Sequence, residues 1–171
     1  MKLSIREICV FGMLGAVMYV SKLLMEFLPN VHLLGAFVVS LTVVYRKKAL
    51  YPIYVFVLLL GLFNGFSVWW IPYLYIWTIL WGATMLIPKS LPPKLRYALY
   101  IIASGLHGFL FGTLYAPAQA LLFRYTFRAT IAWIIAGLPW DVIHGVSNLI
   151  VGTFLIYPLI HTFTWMESRT K

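Results

Sequence analysis

The stretch Leu138–Gly152 reads LPWDVIHGVSNLIVG. It places an aspartate, a histidine, a serine and an asparagine inside an apolar run that continues to Tyr157. Asp141, His144 or Gly145, and Asn148 stand at i, i+3 or i+4, and i+7, the spacing of one helical face. Polar groups in apolar surroundings are costly unless partnered, so this stripe must cap, pack against or bind something.

The rest of the chain explains why the run is apolar. Of 171 residues, 63% are hydrophobic and 10% are charged, against about 25% charged in a soluble domain. A soluble fold of this length could not bury so much apolar surface. With a mean hydropathy of +0.92, the expectation is an all-α integral membrane protein, residues 1–171 forming a single membrane domain.

Six spans are expected: Ile5 to Leu28, Leu33 to Tyr45, Ala49 to Phe63, Ile71 to Ile87, Leu95 to Tyr115, and Ile131 or Leu138 to Phe163. Lys2 and Arg6 before the first run resemble a signal peptide. Glu7 and the absence of an A-x-A site favour a retained first helix.

The net charge is +9, and its distribution orients the chain. Lys2, Arg6, Arg46, Lys47, Lys48, Lys89, Lys94, Arg96, Arg169 and Lys171 fall on one side of a six-span arrangement, against Lys22, Arg124 and Arg128 on the other. The positive-inside rule then puts both termini in the cytoplasm of a multi-pass bacterial plasma-membrane protein. No basic patch with interleaved aromatics lies outside the spans, so nucleic acid is not an expected partner. Cys9, the single cysteine, excludes an internal disulfide. Neither G-x-x-x-x-G-K-[ST] nor G-x-G-x-x-G occurs, so ATP chemistry would reside on another chain.

The outer connections carry the unusual side chains. FNGFSVWWIPYLYIW supplies Trp69, Trp70, Tyr73, Tyr75 and Trp77, which read either as an interfacial belt or as a grip for a flat ligand. Asp141 reads as a cap near the start of the last helix or as a cavity wall. His144 and Asn148 read as interhelical hydrogen-bonding groups or as cavity lining. His107, between Ser104-Gly105 and Gly108, is packed or liganding. Lys22 and Glu26 are spaced to pair, and Arg124 and Arg128 clamp an anion or sit at headgroups. Gly12 and Ala16, with Gly15 beside them, form a small-xxx-small face for close helix packing, within this chain or against another.

These features together resemble the S component of an energy-coupling factor (ECF) transporter, the membrane subunit that captures a vitamin. The resemblance spans nearly the whole chain. It rests on the six-span layout with termini inside, on Gly12 and Ala16 where the family usually has two alanines, on aromatic outer loops, and on the last helix. That helix has an aspartate near its start, an asparagine two turns on and Pro158-Leu159 late.

The resemblance implies a binding protein without enzymatic activity or cofactor. Its ligand cavity would draw on Trp69, Trp70, Tyr73, Trp77, His107, Arg124, Asp141, His144 and Asn148. Gly12, Gly15 and Ala16 would dock on the transmembrane coupling (T) subunit, which carries two cytoplasmic ATPases. Cobalamin is the first-ranked ligand, from likeness of the run Leu34–Trp77; a queuosine-type base, pyridoxine and niacin are the alternatives. Two other readings compete: an intramembrane metal-dependent hydrolase using His107, Asp141 and His144, and a structural or assembly protein whose polar residues act as glue.

Overall fold

The computed structural model describes residues 3–170; Lys2 and Lys171, counted above on the basic side, lie outside them. The fold is all-α, with no strand among the described residues. Its helices are α1 (Ile5–Leu24), α2 (Leu34–Tyr45), α3 (Leu50–Asn64), α4 (Tyr73–Leu86), α5 (Pro93–Phe109), α6 (Phe111–Phe123) and α7 (Phe127–Thr170), with short 3-10 turns at Arg46–Ala49 and Val68–Trp70. By length and composition, three helical runs can cross a membrane: Ile5–Leu24, Leu34–Asn64 and Phe127–Arg169. A fourth is possible if the bent pair α5–α6 counts as one.

Local sequence sets the boundaries. Ser4 and Glu7 close a capping box on α1, the Ser4 hydroxyl accepting from the Glu7 N–H and the Glu7 carboxylate from the Ser4 N–H. Pro93 starts α5 at a position where its missing N–H has no helical partner to lose. Arg46, at φ 53°, ends α2 and begins the turn into α3.

Successive passes of the bundle alternate in direction. Lys48 pairs with Glu7, Gly15 meets Val55, and Tyr19 donates to the Asn64 side chain at 3.5 Å, so α1 and α3 run side by side in the same sense. Ser40 donates to the Ile156 carbonyl and Tyr45 to the Phe163 carbonyl, so α2 runs parallel to α7. Arg6, Arg46, Lys48, Met85 and Arg169 meet at one end: Arg46 donates to the Met85 carbonyl and Arg6 to the Arg169 carbonyl. α2 is apolar on every side and ten of its twelve residues are buried, as befits the central helix. The outer faces stay apolar, with Ile5, Met13, Leu86, Leu121 and Phe154 all more than 60% exposed, a surface suited to lipid.

Two expectations need correction. The fifth span was to end at Tyr115, followed by a loop holding Pro117, Gln119, Arg124 and Arg128. Instead the helix breaks at Leu110, bends by 41° and continues as α6 through Pro117 to Phe123. Only residues 124–126 separate it from α7. The last helix was to start at Ile131 or Leu138; it starts at Phe127 and runs 44 residues, about 66 Å. Pro117 and Pro139 did not end their helices. Where neighbouring helices supply packing and polar partners, the lost backbone hydrogen bond is tolerated. α6 and the first third of α7 thus form a hairpin beyond the close-packed bundle.

Candidate functional site

The polar stripe of α7 faces inward as spaced: Asp141, His144, Gly145 and Asn148 are buried, while Val142, Ile143 and Val146 between them are exposed. Asp141 is not a cap for its own helix, since it lies fourteen residues inside α7 (141 minus 127). It caps α6. Both carboxylate oxygens accept the Gly112 N–H, at 3.0 and 3.1 Å. The kink at Leu110 diverts that N–H from its helical acceptor, and the carboxylate faces the positive end of the α6 dipole. Gly112 gives the carboxylate room there, because a Cβ would lie 2.6 Å from Asp141 Oδ2 and push it aside.

Glycines also set the α5–α7 crossing. A Cβ on Gly108 would meet the Gly145 Cα at 2.8 Å, so these backbones touch. Beneath that contact Asn148 donates through Nδ2 to the Ser104 carbonyl at 3.1 Å.

The hairpin lies over the end of the bundle and borders an open cleft of about 630 Å³. Its walls are Trp69, Phe111, Tyr115, Phe123, Trp133 and Trp140, with Asp141 as the one carboxylate among its lining residues and no lysine or arginine there. Two tyrosine hydroxyls tie the hairpin down: Tyr115 donates to the Trp69 carbonyl at 2.8 Å and Tyr75 to the Leu114 carbonyl at 2.7 Å. Asn30 and Phe111 also border a second, smaller cavity of about 230 Å³, lined by Lys22, Glu26, His32, Tyr73 and His144. There Lys22 and Glu26 form the expected pair at 3.6 Å.

Behind the smaller cavity lies a polar cluster. The His32 and His144 rings are 4.5 Å apart, Phe111 is 4.8 Å from His144, and Trp77 is 5.4 Å from His107 and 6.0 Å from His32. His107 Nε2 lies 3.1 Å from the Ile76 carbonyl. Among the described residues six buried side-chain atoms lack a partner: His32 Nδ1, Trp77 Nε1, Ser104 Oγ, His107 Nδ1, His144 Nε2 and Asn148 Oδ1. Ring contacts join the histidines and Trp77, and Gly35 lies against both Ser104 and Asn148. Buried polar atoms are ordinarily satisfied, so the cluster has hydrogen-bonding capacity to offer a polar ligand group or water. Among the described residues no group of three or more His, Cys, Asp or Glu side chains could hold a metal ion, so the His107, Asp141 and His144 set of the hydrolase reading is not assembled.

The other candidates are distributed as follows. Trp69 and Asp141 line the cleft, and Tyr73 and His144 the smaller cavity. Trp77, His107 and Asn148 are buried beneath. Trp70 donates to the Val57 carbonyl at 2.7 Å and packs edge-on against Phe66. Arg124 is exposed at the end of α6, outside the cleft lining. On α1, a Cβ on Gly15 would lie 2.5 Å from Val55, so that glycine serves packing on α3, whereas Gly12 has nothing within 4 Å of its Cβ position and stays open beside half-buried Ala16.

His32, Phe111, Tyr115 and Trp133 were not singled out from sequence. A signal existed for Trp133: residues 133, 137, 141, 144 and 148 continue the same helical stripe upstream, across Pro139.

No protein-family model matches this chain, and neither a curated protein nor a solved structure matches it.

Proposed function

We propose that this chain is the membrane-embedded, ligand-capturing subunit of an importer of the ECF type, crossing a bacterial plasma membrane six times with both termini in the cytoplasm. The observation that carries the reading is the aromatic cleft of about 630 Å³, which adjoins a pocket backed by unpartnered polar atoms. Mostly apolar, concave sites with a few convergent polar groups are the usual form of a small-molecule site. Two further features support it. The inward side of α7 from Asp141 to Phe163 measures about 33 Å, close to the hydrocarbon thickness of about 30 Å. The end of the bundle opposite the cleft collects Arg6, Arg46 and Lys48, as the positive-inside rule asks of a cytoplasmic face. Gly12 and Ala16 offer an open small-residue face to a coupling subunit, whose ATPases would drive release.

The cleft as it stands matches a compact flat ligand, such as a queuosine-type base or pyridoxine. Cobalamin, the first-ranked ligand, is larger and would extend out through the open side of the cleft. Equilibrium dialysis of the purified protein against cobalamin, queuine, pyridoxine and niacin tests the reading. The expected result is stoichiometric binding of one of them, unchanged on recovery, and weakened at least tenfold by Trp69→Ala with Trp133→Ala. Binding that survives both substitutions would remove the cleft as the site.

A further inference from the structure

We infer that the cleft selects a ligand bearing a positive charge, held between aromatic faces and the carboxylate of Asp141. This rests on the reading of the cleft as a ligand site and adds its charge preference.

The chain has four acidic residues against thirteen lysines and arginines. Glu7 is paired with Lys48 and Glu26 with Lys22. Among the described residues Asp141 has no lysine, arginine or histidine within ion-pair distance. Its hydrogen bonds come from one backbone N–H, although it is 94% buried (6% exposed). A carboxylate has room for about four such bonds, so the side facing the cleft retains acceptor capacity, and a buried charge without a counterion is unfavourable until one arrives. Among the described residues no lysine or arginine lines the cleft; Lys22 belongs to the smaller cavity with its glutamate, and Arg124 is exposed at the end of α6.

The walls point the same way. Trp69, Trp133 and Trp140 contribute the ring type that attracts cations best. Tyr115 and Trp133 stack at 5.9 Å with an interplanar angle of 23°, a flat wall parallel to which a planar ligand can lie. An anion in this cleft would meet ring faces and a like charge, and its donors would all be neutral groups, with no lysine or arginine among them.

The test uses three flat probes of matched size, 1-methylquinolinium, quinoline and quinoline-4-carboxylate, titrated calorimetrically into the full chain in nanodiscs, with empty nanodiscs subtracted. The expected order is quinolinium tightest, at least tenfold tighter than the carboxylate. Asp141→Asn, which keeps an acceptor for the Gly112 N–H, should reduce that preference to about twofold or less. Trp140→Leu, at a half-exposed position where folding is not at stake, should weaken quinolinium more than quinoline. Carboxylate binding as tightly as quinolinium, or a cation preference unchanged in Asp141→Asn, overturns the charge selection while leaving the cleft a ligand site. Absence of binding by all three probes overturns the cleft itself and the inference with it.

Discussion

The carboxylate of Asp141 on α7 holds the Gly112 N–H at the start of α6 with both oxygens, at 3.0 and 3.1 Å. One side chain thus secures the kink from which the hairpin departs and forms the charged floor of the cleft. Gly112→Ala, whose Cβ would press on Oδ2 at 2.6 Å, should cost about 1–3 kcal/mol. Asp141→Leu should cost about as much by stranding a buried N–H, and Asp141→Asn less. Thermal unfolding in nanodiscs measures the order; an alanine at position 112 as stable as the parent contradicts this account of the kink.

Gly12 and Gly15 are three residues apart and should behave oppositely. Gly15→Val drives a side chain into Val55 and the Pro52 carbonyl and should lower stability by about 1–3 kcal/mol. Gly12→Val should stay within about 0.5 kcal/mol of the parent, yet reduce co-purification with the coupling subunit if that face is the docking surface. Equal melting temperatures for the two variants would sink the distinction.

His32 lies in the connection between α1 and α2, half-buried with Nδ1 enclosed. Burial, and then the neighbouring His107 and Lys22, hold its pKa down from 6.5 to about 4. Its neutral form is therefore the folded one, and the unfolded chain binds the extra proton first. The stability this contributes is complete above about pH 6.5 and is lost as pH falls towards 4, at most about 3 kcal/mol. A melting curve measured from pH 7.5 to 4 should slope downwards below 6.5, and His32→Gln should flatten that slope. A slope that persists unchanged in the variant places the titrating group elsewhere.

The hairpin is tied down by Tyr115 to the Trp69 carbonyl and by Tyr75 to the Leu114 carbonyl. Tyr115→Phe with Tyr75→Phe removes two hydrogen bonds of about 0.6 kcal/mol each on the membrane scale. Amide exchange should then rise in residues 111–140 and stay level in α2, whose surroundings are untouched. Uniform exchange across both regions would mean that these hydroxyls do not restrain the hairpin.

Much of the bundle could be read without coordinates. α2, α3 and α4 lie within two residues of their expected limits because each is closed by a local signal: Arg46 to Lys48, Asn64-Gly65 and Pro88. The inward stripe of α7 was equally legible, since helical spacing alone brings Asp141, His144 and Asn148 to one face. Pro117 and Pro139 misled, because a proline's local penalty is visible in sequence while the packing that offsets it is not.

The sequence by itself determined that the chain is helical and apolar enough for a membrane, and which residues share a helical face. Those properties depend on composition and on the 3.6-residue period, which are local. Only the tertiary structure decided what those faces meet: that Asp141 serves α6 rather than its own helix, that Gly15 packs on Val55 while Gly12 stays open, and that His32 lies against His144 more than a hundred residues away. Such pairings depend on how helices cross and where one bends. The bend at Leu110 brings Phe111 and Tyr115 over the bundle end and makes a cleft out of residues that no stretch of sequence holds together.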